Sequence, residues 1–111
     1  MKIYLDDERP TPEGWVRVYT PEQAIWHLQA ESMLEEVTCI SLDNDLGLPL
    51  DAQGLPREGY RVAEWIEARV AADVNYAPPE ILIHTGNPIA RKKIQQTIQS
   101  IFRLIAARGT T

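Results

Sequence analysis

The stretch ISLDNDLG, residues 40–47, ends an apolar run with two carboxylates one residue apart. The run that leads into it, VTCISL at residues 37–42, is almost continuously apolar, which is typical of a central parallel strand covered on both faces. MKIYLDDERP at residues 1–10 has the same form, because its apolar residues also end in paired acids. Two strands that each end in acids predict a parallel sheet with an acidic cluster at one edge.

Two short runs near the N-terminus predict strands, namely KIYL at residues 2–5 and WVRVY at residues 15–19. The nine residues between them are too few for a standard crossover helix. The two strands therefore form either a hairpin or a short parallel connection. The alternation of helices and strands that follows favours the parallel connection.

Three helices and two further strands, one of them VTCISL, are predicted in the rest of the chain. Thr20 and Pro21, with Gln23, form a capping box that starts a helix running to about Met33. The remaining predicted elements are a helix from Gly59 or Tyr60 to about Ala72, a buried strand EILIHT at residues 80–85, and a last helix capped by Asn87. Apolar residues recur every three or four positions in the last two helices, which predicts one buried face on each.

These elements predict an α/β fold in which helices cover a four-stranded, mostly parallel sheet in a three-layer arrangement. Right-handed crossovers favour the strand order 2-1-3-4, a truncated doubly wound sheet of the flavodoxin type. Length and composition predict one domain over residues 1–111. The strand at residues 80–85 then lies at an edge of the sheet, so we expect that edge to be covered or to pair in a homodimer.

Composition argues against several classes of function. The net charge of -5 argues against general coating of nucleic acid, which depends on many Lys and Arg side chains. No apolar run reaches the roughly 18 residues needed to span a bilayer, so we expect a cytoplasmic protein without a membrane partner. Charge is uneven, since residues 1–58 carry a net -8 and residues 59–111 a net +3. The two halves either meet at a cleft that holds a cation and an anion or form two solvated surfaces.

Carboxylates follow the first and third predicted strands. Asp6 and Asp7 follow KIYL, and Asp43 and Asp45 follow VTCISL. The carboxyl ends of neighbouring parallel strands form the edge at which ligands bind in open α/β sheets. Carboxylates so close together favour a hard divalent cation, Mg²⁺ or Mn²⁺, bound through oxygen. The alternative interpretation is that individual acids cap turns or helices.

Groups suited to phosphate binding and proton transfer follow the fourth predicted strand. Thr85 and Asn87 lie in the loop that starts the last helix, and Arg91 lies one turn into it. Together with Arg9 these are the candidate phosphate-binding residues. His84 is a candidate general acid or base, because the unperturbed pKa of imidazole is about 6.5. A histidine at a strand end can also be structural.

The acids resemble the phosphoacceptor pocket of response-regulator receiver domains. In that resemblance Asp43 matches the phosphorylated aspartate and Thr85 the hydroxyl residue, while Asp6 and Asp7 match the Mg²⁺-binding acids. The first crossover helix of receivers, the fifth strand and its lysine have no counterpart here. The resemblance implies a receiver-like fold. The missing elements weaken the assignment as a phosphoaccepting receiver.

Four motifs resemble the cyclic-phosphate processing receiver-like family more closely. They are YLDDERPTPEGW, ISLDNDLG, GYRVAEWIE and ILIHTGNP, which occur in order over nearly the whole chain. Members of the family usually have Asp-His-Asp where this chain has Asp43-Asn44-Asp45. If that histidine donates a proton in relatives, Asn44 can only form hydrogen bonds, and catalysis here depends on His84 or is absent.

The resulting hypothesis is a metal-assisted phosphoesterase in which His84 and Asp43 are catalytic. The resemblance implies a cyclic phosphate or related small phosphoester as substrate, including RNA ends. The alternative is a non-catalytic receiver-like binding or regulatory module, and a phosphoaccepting receiver is the third hypothesis.

Overall fold

The structure is a computed structural model in which residues 1–30 and 35–108 are described. The elements are, in chain order, β1 (Lys2–Leu5), β2 (Trp15–Val18), α1 (Pro21–Gln29), β3 (Cys39–Leu42), α2 (Tyr60–Ala72), β4 (Glu80–Ile83) and α3 (Pro88–Ala107). All three strand pairs are parallel, and the order is β2-β1-β3-β4. The predicted receiver-like α/β class, the parallel β1–β2 connection and the strand order are confirmed.

The elements begin and end close to their predicted positions. Thr20 caps α1, since its Oγ1 accepts a hydrogen bond from the backbone N–H of Gln23 at 3.0 Å. The helix ends at Gln29, and residues 31–33 of the predicted helix lie outside the described residues. β4 ends at Ile83, two residues early, because the chain turns there into the loop before α3.

The hydrophobic core lies on one face of the sheet. Its strand residues are Val18 of β2 and those at alternate positions of β1 and β3, and all three helices contribute to it. The fully buried members are Ile3, Leu5, Ala24, Ile40, Leu42, Val62, Ala63, Ile66 and Ile94. One face of each helix is therefore buried against the same side of the sheet. In α2 and α3 the spacing of apolar residues predicts that one face is buried.

The opposite face of the sheet carries aromatic and polar side chains. Tyr4 is buried there, with its ring stacked on His84 at 4.3 Å and in edge contact with Trp15 at 6.1 Å. The guanidinium of Arg17 lies 5.8 Å from the centre of the same ring. The core residues of the described helices pack on the other side of the sheet. Within the described residues, no helix covers the face that carries Tyr4, where the predicted three-layer arrangement would place its second helical layer. The short β1–β2 connection, residues 6–14, contains no helix that could supply it.

β4 lies at the edge of the sheet, and Leu82 within it is 40% exposed. A homodimer formed through this edge stays a prediction. No helix in the described part of the chain is long and apolar enough to cross a membrane.

Candidate functional site

The carboxyl ends of β1, β3 and β4 meet at one point because the three strands are parallel neighbours in register. Leu5 is paired with Leu42, and Leu42 with Ile83, so the residues that follow each strand lie side by side. His84 Nε2 lies 2.9 Å from Asp6 Oδ2. The predicted convergence of these strand ends is what the structure shows.

Three of the four candidate metal-binding acids lie together. Asp6, Asp7 and Asp43 each offer an oxygen, and these oxygens lie within 4.8 Å of one another. They line a cleft of about 370 Å³, here called the acidic cleft, together with Arg9 and Asp45. Asp45 is exposed and does not belong to the group of three.

The carboxylate of Asp6 is saturated with hydrogen bonds. Its Oδ1 accepts from the backbone N–H groups of Glu8 at 2.7 Å and Arg9 at 2.9 Å. Its Oδ2 lies 3.1 Å from Arg9 Nη1 and 2.9 Å from His84 Nε2. Burial by itself raises the pKa of Asp6, but these hydrogen bonds outweigh it and lower the pKa to about 2.

Asp43 has far fewer partners. Its Oδ1 accepts one hydrogen bond, from the backbone N–H of Asn44 at 2.9 Å, and Arg9 Nη1 lies 3.7 Å away. Burial and the charge of Asp6 raise the pKa of Asp43. A positive charge beside this carboxylate would favour its ionised form.

The backbone around Asp43 is held by the first turn of α2. A Cβ built on Gly59 would overlap the carbonyl oxygen of Asp43, so only glycine permits this approach. The backbone carbonyl of Asn44 accepts a hydrogen bond from the N–H of Gly59 at 3.1 Å. Its side-chain Oδ1 accepts one from the N–H of Tyr60 at 3.0 Å. Its Nδ2 also donates to Glu58 at 3.1 Å. Asn44 thus holds the start of α2, which explains its burial without any role in proton transfer.

Both ring nitrogens of His84 have a partner. Nδ1 lies 2.6 Å from Ser41 Oγ, and Nε2 lies 2.9 Å from Asp6 Oδ2. Burial lowers the pKa of His84, against the opposing effect of Asp6, so the ring is neutral near neutral pH. Since ionised Asp6 can only accept, Nε2 carries the proton and donates it, and the Ser41 hydroxyl donates to Nδ1.

The loop after β4 is held by its own side chains. Asn87 Oδ1 caps α3 by accepting from two backbone N–H groups, at 3.0 and 3.1 Å, and its Nδ2 donates to Asp45 at 3.3 Å. Thr85 is buried and accepts from the N–H of Asn87 at 3.2 Å, while Arg91 donates to the Thr85 carbonyl at 3.1 Å. The phosphate-binding role of these three residues stays a prediction.

Arg9 connects the strand ends across the acidic cleft. Its Nη1 contacts both Asp6 and Asp43, and its Nη2 lies near Gly86 in the loop after β4. The hydrogen bond to Asp6 raises the pKa of Arg9, and about half of the side chain is exposed. Of the candidate phosphate-binding residues, Arg9 is the one that lines the acidic cleft.

A model of the cyclic-phosphate processing receiver domain family matches residues 1–100 of the chain. The chain belongs to this family. No curated protein and no solved structure matches it.

The acids of this cyclic-phosphate processing receiver domain fit a hard divalent cation. Carboxylate oxygens are the ligands that Mg²⁺ and Mn²⁺ prefer, and the three in the acidic cleft are close enough to share one ion. Burial and the charge of Asp6 raise the pKa of Asp43, and a cation beside this carboxylate would offset both effects.

Sequence reasoning missed three residues that build the site. Arg17 Nη1 donates to the carbonyl oxygen of Asp6 at 3.1 Å, Ser41 contacts His84, and Gly59 admits the backbone of Asp43. Arg17 and Ser41 are polar residues inside otherwise apolar strands, and Gly59 directly precedes a helix. Each of these was a usable signal of a special environment.

Proposed function

We propose that this domain is a divalent-metal-dependent phosphoesterase that acts on a cyclic phosphate or a related phosphoester, including RNA ends. The observation that supports it most is the group of three acids beside Arg9, which together offer oxygen ligands for a cation and a guanidinium for an anion. Membership of the cyclic-phosphate processing family supports the class of substrate.

The three acids have different roles in this proposal. Asp7 and Asp43 would hold Mg²⁺ or Mn²⁺, since within the described residues their oxygens accept fewer hydrogen bonds than those of Asp6. Asp6 orients Arg9, whose guanidinium binds a phosphate oxygen in the acidic cleft. A metal held by Asp7 and Asp43 would supply charge neutralisation at a phosphoryl oxygen and activation of water.

His84 stays the predicted proton carrier. Its Nε2–H is donated to Asp6 and its Nδ1 accepts from Ser41, so proton exchange with a ligand requires the ring to leave one of these partners. The saturation of His84 and Asp6 favours a second candidate function, a receiver-like module that binds a metal and a phosphate ligand without turnover.

Turnover of 2′,3′-cyclic AMP in the presence of Mn²⁺ tests the proposal. We expect Asp43→Asn to lower kcat/KM by about 100-fold or more, because a bound metal supplies several kcal/mol of charge stabilisation in the transition state. Asp45→Asn is the matched control, since it removes an acid that lines the same cleft outside the group of three. Binding of Mn²⁺ and phosphate without turnover of any cyclic or linear phosphoester overturns the enzyme and supports the binding module.

A further inference from the structure

A second cleft, here called the aromatic cleft, lies at the carboxyl end of β2 beside α1. Its volume is about 310 Å³, and it is lined by Arg17, Val18, Tyr19, Gln23, Trp26 and His27. Ligand sites of proteins begin at about 300 Å³ and combine aromatic walls with a few polar groups. The aromatic cleft has both properties.

Two aromatic rings in the aromatic cleft are exposed. Tyr19 is 53% exposed and Trp26 is 55% exposed. The guanidinium of Arg17 lies 5.3 Å from the centre of the Tyr19 ring. Exposed aromatic rings beside an arginine form a surface on which a planar, electron-rich ring can stack.

An unpaired polar atom lies in the wall of the same cleft. His27 Nδ1 is buried and has no hydrogen-bond partner within the described residues. Buried polar atoms without a partner are uncommon in folded proteins, because each loses its hydrogen bond to water. Gln23 also lines the cleft, and its Oε1 accepts a hydrogen bond from the N–H of Tyr19 at 2.7 Å. This bond fixes the position of the Gln23 amide in the cleft wall. Because Nδ1 of His27 is buried, the ring edge of a ligand in the aromatic cleft would satisfy it only after the His27 ring turns toward the cleft.

Arg17 joins the aromatic cleft to the acidic cleft. The same side chain that faces Tyr19 donates through Nη1 to the carbonyl oxygen of Asp6 at 3.1 Å. Both clefts lie at the carboxyl edge of the sheet, where β1 and β2 are parallel neighbours in register. One ligand with an aromatic ring at one end and a phosphate at the other could therefore contact both.

We propose that the aromatic cleft binds the nucleobase of a nucleotide whose phosphate lies in the acidic cleft. The position of the phosphate rests on the proposed function, whereas the recognition of the base rests on the aromatic cleft alone. The base stacks on Trp26 or Tyr19, and its edge forms a hydrogen bond with His27. The substrate class of the domain is then a nucleoside cyclic phosphate or the terminal nucleotide of an RNA.

Calorimetric titration with three probes tests this proposal in the presence of Mn²⁺. The probes are 2′,3′-cyclic AMP, the methyl riboside 2′,3′-cyclic phosphate that lacks the base, and adenosine, which lacks the phosphate. We expect the base-free probe to bind about tenfold more weakly than cyclic AMP, the scale of one stacking contact. Trp26→Ala should weaken cyclic AMP and adenosine by a similar factor and leave the base-free probe unchanged.

Matched variants separate a binding role from a structural one. Phe102→Ala removes an exposed aromatic ring from α3, outside the aromatic cleft, and should change no affinity. His27→Asn keeps a polar atom near the position of Nδ1 and should retain more affinity for adenosine than His27→Leu.

If cyclic AMP and the base-free probe bind with equal affinity, the proposed base site is wrong. It is also wrong if Trp26→Ala weakens the binding of both probes by the same factor. Base-dependent binding without turnover supports the base site and removes only the phosphoesterase. Turnover of both cyclic phosphates with equal kcat/KM supports the phosphoesterase and removes only the base site.

Discussion

Asp6 and Asp43 are the same residue type at equivalent ends of neighbouring strands, and both are buried, yet their surroundings are opposite. Asp6 is fully buried and accepts hydrogen bonds on both oxygens, whereas Asp43 is 7% exposed and accepts one from the described residues. The difference arises in the residues that follow. After β1 the chain turns back so that the N–H groups of Glu8 and Arg9 face Asp6. After β3 the chain runs on, and the N–H groups of α2 bind Asn44 instead.

This difference shows that burial alone does not decide what a carboxylate can do. Hydrogen bonds lower the pKa of Asp6 to about 2 despite its burial, while burial and a neighbouring charge raise the pKa of Asp43. A saturated carboxylate stabilises the fold and orients its neighbours. An unsaturated one retains oxygen lone pairs for a ligand.

Gly59→Ala should have the largest effect on stability, because it disrupts the contact between the start of α2 and the backbone of Asp43 after β3. The added Cβ overlaps the Asp43 carbonyl, which is backbone and cannot rotate away. We expect the free energy of unfolding to fall by about 3 kcal/mol, the upper range for overpacking, measured by urea denaturation. Gly86→Ala is the control, since its Cβ would meet only the end of the Arg9 side chain at 3.9 Å. Equal stability of the two variants would show that α2 does not press against Asp43.

Asp6→Asn should have the second largest effect, on the β1 side. The amide of Asn would place its N–H groups opposite the N–H groups of Arg9 and His84. At least one of the Arg9 and His84 donors then has no acceptor at this position. We expect a loss of about 2 kcal/mol in the free energy of unfolding at pH 7, typical of hydrogen bonds to a charged group. Asp45→Asn, which changes an exposed acid, should stay within about 0.5 kcal/mol of the wild type. A loss as small for Asp6→Asn would refute its role as the saturated carboxylate.

The pH dependence of stability should separate these carboxylates further. Because the pKa of Asp6 is lowered on folding to about 2, its contribution is complete above the unfolded value and is lost as the pH falls through the folded value. The difference between the wild type and Asp6→Asn, about 2 kcal/mol at pH 7, should therefore shrink between about pH 4 and pH 2. Urea denaturation at several pH values measures this. A constant difference over that range would show that Asp6 does not titrate as a buried, hydrogen-bonded acid.

The sheet order and the meeting of the strand ends could be predicted from the sequence, because both follow from apolar runs, connection lengths and crossover handedness. The partition of hydrogen bonds could not. Whether Asp6 or Asp43 is saturated depends on the path of the next few residues, which residue type alone does not specify. The sequence predicts Asn87 both as the cap of the last helix and as a phosphate-binding residue, and the structure confirms the cap. The predicted order places the strand of Arg17 beside the strand that ends in Asp6, but residue type alone does not specify the hydrogen bond from Arg17 to the Asp6 carbonyl oxygen.

Asp43→Asn should give the smallest change in stability, with the opposite sign to Asp6→Asn. Because the pKa of Asp43 is raised by burial and by the charge of Asp6, its ionised form is disfavoured in the folded state, and the neutral amide removes that cost. We expect the free energy of unfolding at pH 7 without metal to rise, by less than about 1 kcal/mol.

Mn²⁺ should reverse the order of stability of the wild type and Asp43→Asn. A ligand that binds only the folded state stabilises it by mass action, so the wild type should gain stability with Mn²⁺ concentration while Asp43→Asn gains little. Thermal unfolding with and without Mn²⁺ measures both signs in one experiment. If Asp43→Asn is destabilised without metal as strongly as Asp6→Asn, then the two strand ends are equivalent after all, and the unsaturated carboxylate on which metal binding depends does not exist.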